Sequence, residues 1–215
     1  MVMPSALGFQ AFRSAAALTL AAACVLGCGA AAAPTLRVSG PLTEEHAHAF
    51  ENGADFIDNP SLLEGAWLRT WQEDLDRRVS LADAVAFVTV STLRHDVDLE
   101  QRETYRVIAH VDDALHGTPP EEISLVVRQS EEGFSSVEGN EQRILDHRFV
   151  VFIKWAQERG QIVPRWHLSP LSDGVARRVR SLVQRTHAPE DQRQRVIIRD
   201  SGGAGSADDD TDDEP

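Results

Sequence analysis

The sequence predicts an α+β protein that is mainly β: a five-stranded antiparallel barrel flanked by an N-terminal and a C-terminal amphipathic helix. Three observations predict it. β-branched and alternating runs follow one another at short spacing between residues 84 and 168. Helical periodicity is confined to the two sides of that stretch. The only cysteines, Cys24 and Cys28, lie near the start, so the body must be held by its apolar core rather than by disulfides.

The first helix is expected over Leu62 to Arg78. Leu63, Trp67, Trp71 and Leu75 recur at i, i+4 and make one apolar stripe, and Asn59-Pro60-Ser61 is a fitting start. The two tryptophans could form a ligand platform, but a stripe packed on the core is the simpler reading. The strands follow. Ala84–Arg94 is a β-branched run. Thr104–Leu115 alternates, with Tyr105, Val107, Ala109 and Val111 on one face and Arg106, Ile108 and His110 on the other. Gly117-Thr118-Pro119-Pro120 is a turn, followed by Ile123–Gln129 and Phe149–Trp155. Ile162–Leu168 contains Pro164, which lacks an N–H, so it is placed at a sheet edge. The last helix spans about Val175–Arg185, with Val175, Val179, Leu182 and Val183 inward and Arg177, Arg178, Arg180 and Arg185 outward.

The segments Ala82–Val90, Tyr105–Pro120, Ile123–Val127 and Arg148–Trp155 resemble a module of exported bacterial proteins of unassigned function. That module is similar to the OB-like barrel of netrin-type domains. The resemblance covers about residues 82 to 168 and implies the OB-like form of the barrel. His116 stands where the module usually has lysine, and the cysteine framework of the netrin-type inhibitors is missing, so protease inhibition is not implied.

The opening of the chain reads as an address. Arg13 is followed by fourteen small or apolar residues, Ser14 to Gly27, too few for a comfortable membrane span and suited to a secretory signal peptide. Val25-Leu26-Gly27-Cys28 resembles the lipobox of bacterial lipoproteins. The resemblance implies cleavage before Cys28, a diacylglyceryl group on its sulfur and an acylated new amino terminus. Three acyl chains, at about 0.8 kcal/mol per buried CH2, hold a protein on a membrane essentially permanently. The rival readings are ordinary cleavage after Ala30–Ala33 and lipidation of Cys24, whose preceding alanines lack the aliphatic residue. Gly29 after Cys28 is compatible with outer-membrane sorting in a Gram-negative cell.

The expected organisation is a signal peptide over 1–27, a tether over 28–42, a helical segment over 43–80, the barrel with its C-terminal helix over 81–188, and an acidic disordered tail over 189–215. Six of the last eight residues are acidic. A net charge of −13 argues against a general grip on nucleic acid.

The candidate chemistry is sparse. Glu44-Glu45-His46-Ala47-His48, with Glu51 and Asp55, is the nearest approach to a metal cluster. His-x-His puts both rings on one face of a strand but points them about 200° apart on a helix, and a solvated polar segment is favoured. His95, His110, His116, His147, His167 and His187 are scattered. Gly133 to Gly139 does not match a nucleophile elbow, and the acids of Asp112-Asp113, Glu121-Glu122 and Glu131-Glu132 come as adjacent, solvated-looking pairs. No catalytic residue, metal ligand or cofactor is implied. The long segment Ser130–Asp146, with Phe134, Ser135 and Ser136, is the expected partner-binding loop. The expectation is a non-enzymatic, exported envelope lipoprotein that presents a binding or structural module. Its expected partners are the membrane, through the lipid on Cys28, and an envelope protein. The alternatives are a hydrolase with a dispersed site, and a metal- or solute-binding lipoprotein using His46 and His48.

Overall fold

The computed structural model describes Leu36 and residues 38–187. Cys28 and the acidic residues after Asp208 lie outside them. The elements are α1 (Glu44–Ala49), β1 (Gly53–Ala54), a 3-10 turn (Pro60–Leu62), α2 (Gly65–Leu81), β2 (Ala84–Val97), β3 (Glu103–His116) and β4 (Glu122–Arg128). Then come α3 (Phe134–Val137), α4 (Glu141–Ile144), β5 (Arg148–Glu158), β6 (Gln161–Pro170) and α5 (Asp173–His187). The protein is α+β, with one mixed six-stranded sheet in the order β1-β6-β5-β2-β3-β4.

The central strands β2 and β5 are near-continuous apolar runs because both of their faces are covered. From β2, Ala86, Val88 and Val90 join Val107, Leu125, Val151, Ile153 and Trp166 in the core on one face of the sheet. Val85 and Phe87, with Val150 and Phe152 of β5, point to the other face. There α2 and α5 cover them with Trp71, Leu75, Val79, Val175, Val179, Leu182 and Val183. β3 and β4 alternate because only one face of each is buried: Tyr105, Val107, Ala109, Ile123, Leu125 and Val127 go inside.

Two expectations change. The sheet has six strands rather than five, the added β1 runs parallel to β6, and the sheet is not closed into a barrel. Its ends are β1 with β6 on one side and β4 on the other, and no ladder joins them. The indole N–H of Trp166 on β6 donates instead to the Val126 carbonyl of β4 at 3.1 Å. The groups that a further ladder would use are committed: Pro164 has no N–H, and the Arg128 N–H already donates to Glu131 Oε2 at 2.7 Å. The expected edge position of Pro164 survives locally, since β1 pairs only with His167 and Leu168, in parallel.

The second change concerns Trp67, which is 78% exposed. Asn59 caps the 3-10 turn and Leu63 ends it in extended backbone. The helix therefore begins later than the spacing suggests; its fully buried residues are Trp71, Leu75 and Val79, while Leu63 and Leu68 pack at the margin of that core.

Candidate functional site

Residues 50–55 and β6 build the most polar buried region. Asn52 takes a left-handed φ of 61°. Its N–H donates to the Trp166 carbonyl at 2.9 Å, and its Oδ1 accepts from Trp166 N at 3.1 Å. The short β1 that follows is held from behind by the segment after β4. Ser136 Oγ accepts from Ala54 N at 2.8 Å and donates to the Gly133 carbonyl at 2.7 Å. Gly133 touches the Asn52–Gly53 peptide so closely that a Cβ there would lie 2.5 Å from it.

This arrangement sets Glu51 and Asp55 on either side of His167, which is 1% exposed. Nδ1 lies 3.1 Å from Glu51 Oε1, and Nε2 lies 3.1 Å from Asp55 Oδ2. Ser169 Oγ donates to Asp55 Oδ2 at 2.6 Å, Ile57 N donates to Oδ1 at 3.2 Å, and the Arg78 guanidinium stands 3.8 Å from Oδ2. Burial works to raise both carboxyls. The hydrogen bonds and charge of His167 more than offset it, so Glu51 and Asp55 stay below their ordinary values. Each ring nitrogen of His167 therefore faces a carboxylate oxygen at hydrogen-bond distance inside the fold, and neither is turned toward a substrate or a metal ion. Ser169 gives its hydrogen to the carboxylate rather than to the imidazole, so no nucleophile–base pair forms.

A second buried pair uses the chain's only lysine. Lys154, 6% exposed, lies 3.0 Å from Asp83 Oδ1 and also hydrogen-bonds Ser39. Ser39 Oγ donates to Asp83 Oδ1 at 2.5 Å, and Trp155 N donates to Asp83 Oδ2 at 2.9 Å. This knot fastens the start of the described chain to the junction of α2, β2 and β5.

No protein-family model matches this chain, and no curated protein matches it either.

Of the expected partner-binding loop, Phe134 is 6% exposed and packs against Tyr105, with ring centroids 5.3 Å apart. Ser136 is held by its bonds to Ala54 and Gly133, and Ser135 faces solvent. His46 caps its own helix, accepting at Nδ1 from Thr43 N at 3.1 Å. His48 lies two residues on, along the same helix, so the two rings diverge. His116 and His187 stack at 3.6 Å. Burial first, and then the charge of His187, hold His116 below the ordinary histidine value. Among the described residues no group of three or more His, Cys, Asp or Glu is placed to hold a metal ion, and no helix is long and apolar enough to cross a membrane.

Sequence reasoning had Glu51 and Asp55 in view beside His46 and His48, set His167 aside among the scattered histidines, and did not single out Ser169. The available signal was the i, i+4 spacing of the two acids beside a His-x-Ser on one strand face, which has meaning only once β1 is known to pair with β6.

Proposed function

We propose that this protein is a cell-envelope lipoprotein. Lipid on Cys28 holds it at a bacterial membrane, the outer membrane in a Gram-negative cell. Its curled, OB-like body acts as a non-enzymatic binding module toward an envelope partner. The observation that carries the module reading is the placement of His167: both ring nitrogens lie against carboxylates, and the ring is buried. The groups best suited to acid–base work are thus spent on holding β1 to β6. The lipobox-like Val25–Cys28 supports the anchor. Intact mass of the membrane-extracted protein, beside fractionation of Cys28→Ser, tests it. A lipid-bearing terminus at Cys28 and release of the variant are expected. An unmodified terminus near Ala33 would overturn the anchor.

The hydrolase reading draws on one observation, the adjacency of His167, Asp55 and Ser169. It requires that Ser169→Ala abolish an activity without changing the fold. The module reading expects a loss of stability alone.

A further inference from the structure

The turns β2–β3 and β5–β6 and the segment after β4 meet at one end of the sheet around an open cleft of about 480 Å3, a volume in the range of small-molecule sites. Asp98 and Glu103 line it together with Arg102, Arg128 and Arg159 and the uncharged Thr104, Gln129 and Ser130, and Glu103 is paired with His95 at 2.8 Å. Arg102 is committed to Asp98 at 2.8 Å and Glu100 at 2.5 Å. Arg128 is only loosely engaged, because its partner Glu131 stands 3.4 Å away and makes a shorter contact, 2.8 Å, with Arg165. Arg159 has no hydrogen bond or ion pair among the described residues, and neither have the hydroxyls of Thr104 and Ser130.

Arg159 is also costly where it stands. It occupies the first of the two positions, with Gly160 at the second, between the paired ends Glu158 and Gln161 of β5 and β6, and its φ is +50°. Two-residue turns of that kind favour asparagine, aspartate or glycine. The fold would be served better by glycine, and the arginine's charge is unused by it. A strained, unpaired cation at the mouth of a cleft lined with free hydroxyls has a use if something anionic binds there. The chain carries a net charge of −13, whereas three arginines against two carboxylates leave this cleft with one positive charge in excess, which favours an anion.

We propose that this cleft binds a small hydroxylated anion, an acidic sugar or a sugar phosphate. Arg159 and Arg128 hold its anionic group, and Thr104, Gln129 and Ser130 meet its hydroxyls. The proposal deepens the binding-module reading and rests on it. The anchor is tested separately by Cys28→Ser, and the cleft is read whether or not the lipid is in place.

The experiment follows amide resonances of the full chain, extracted from membranes in detergent, at fixed ionic strength. The probes are glucuronate, glucose 6-phosphate and neutral glucose. Saturable shifts at Thr104, Gln129, Ser130 and Gly160 with one or both anions are expected, and which anion binds tells carboxylate from phosphate. Neutral glucose should bind at least about tenfold more weakly, the scale of one charged hydrogen bond. Arg159→Gly should weaken binding by about tenfold while raising the melting temperature, which separates lost binding from lost folding, and Arg128→Gln should weaken it similarly. Absence of saturable shifts at these amides, equal binding of neutral glucose, or binding that survives Arg159→Gly would each overturn the proposal.

Discussion

Trp166 on β6 and Val126 on β4 are joined by one hydrogen bond, indole N–H to carbonyl at 3.1 Å, across two strands that share no ladder. A fully buried indole thus does at the seam what backbone pairing does elsewhere in the sheet. Trp166→Phe keeps an aromatic ring but orphans that carbonyl and opens a void. We expect a loss of about 2–4 kcal/mol in urea unfolding, with faster amide exchange in β4 than in β3. Equal protection of the two strands in the variant would show that the seam does not depend on this bond.

Acid should strip stability through Glu51 and Asp55. Both carboxyls lie below their ordinary values of 4.5 and 3.8 in the folded protein. Their contribution is present above those values and is lost as the pH falls through the lower, folded ones. Urea midpoints should hold from pH 7 to about 5 and fall below about 4. His167→Gln removes the ring that hydrogen-bonds both carboxylates and should be less stable at pH 7 by about 2 kcal/mol or more. Its fall on acidification should be shallower, because protonating the carboxylates then relieves an unpaired charge.

Lys154 and Asp83 give a prediction whose sign is informative. Lys154→Met leaves Asp83 charged in a buried place and should cost about 3 kcal/mol or more. Adding Asp83→Asn should recover part of that loss, since the amide oxygen still accepts from Trp155 N without the stranded charge. A double variant no better than the single one would mean that the cost is steric.

The two tryptophans of α2 should behave oppositely. Trp71 is buried against the sheet while Trp67 is exposed. Trp71→Ala is expected to cost about 3–5 kcal/mol. Trp67→Ala should stay within about 0.5 kcal/mol in thermal or urea unfolding.

Gly133→Ala tests the clamp behind β1. The added Cβ would meet the Asn52–Gly53 backbone, which cannot give way without moving Glu51. Destabilisation of about 2 kcal/mol or more is expected, together with a change in the His167 ring resonances. Unchanged His167 signals would uncouple the glycine contact from the buried charges.

How much of this was legible depended on the range of each signal. The strands of β2 to β6 read directly, since Val85, Phe87 and their neighbours are local runs, and the inward residues of α5 fall at helical spacing. Closure did not read, because it turns on whether β4 and β6 find backbone partners. That question is settled by Pro164 and Trp166 on β6 together with Glu131 after β4, two stretches some thirty residues apart. The helix start was misjudged because Leu63 continues the apolar spacing of Trp67 and Trp71, although a 3-10 turn has already broken the register. The His167 cluster was invisible for a different reason: two residues of β1 carry too little pattern to announce a strand, and that strand alone brings Glu51 and Asp55 to β6.

The knot of Ser39, Asp83 and Lys154 has a mechanical side. Ser39 stands eleven residues after Cys28, a leash of at most about 40 Å when taut. In the anchored protein proposed above, a tug from the bilayer would reach the body where Leu36 and Val38 pack on the core and Ser39 is tied to Asp83 and Lys154. It would be met at the root of the two central strands rather than at a fraying edge.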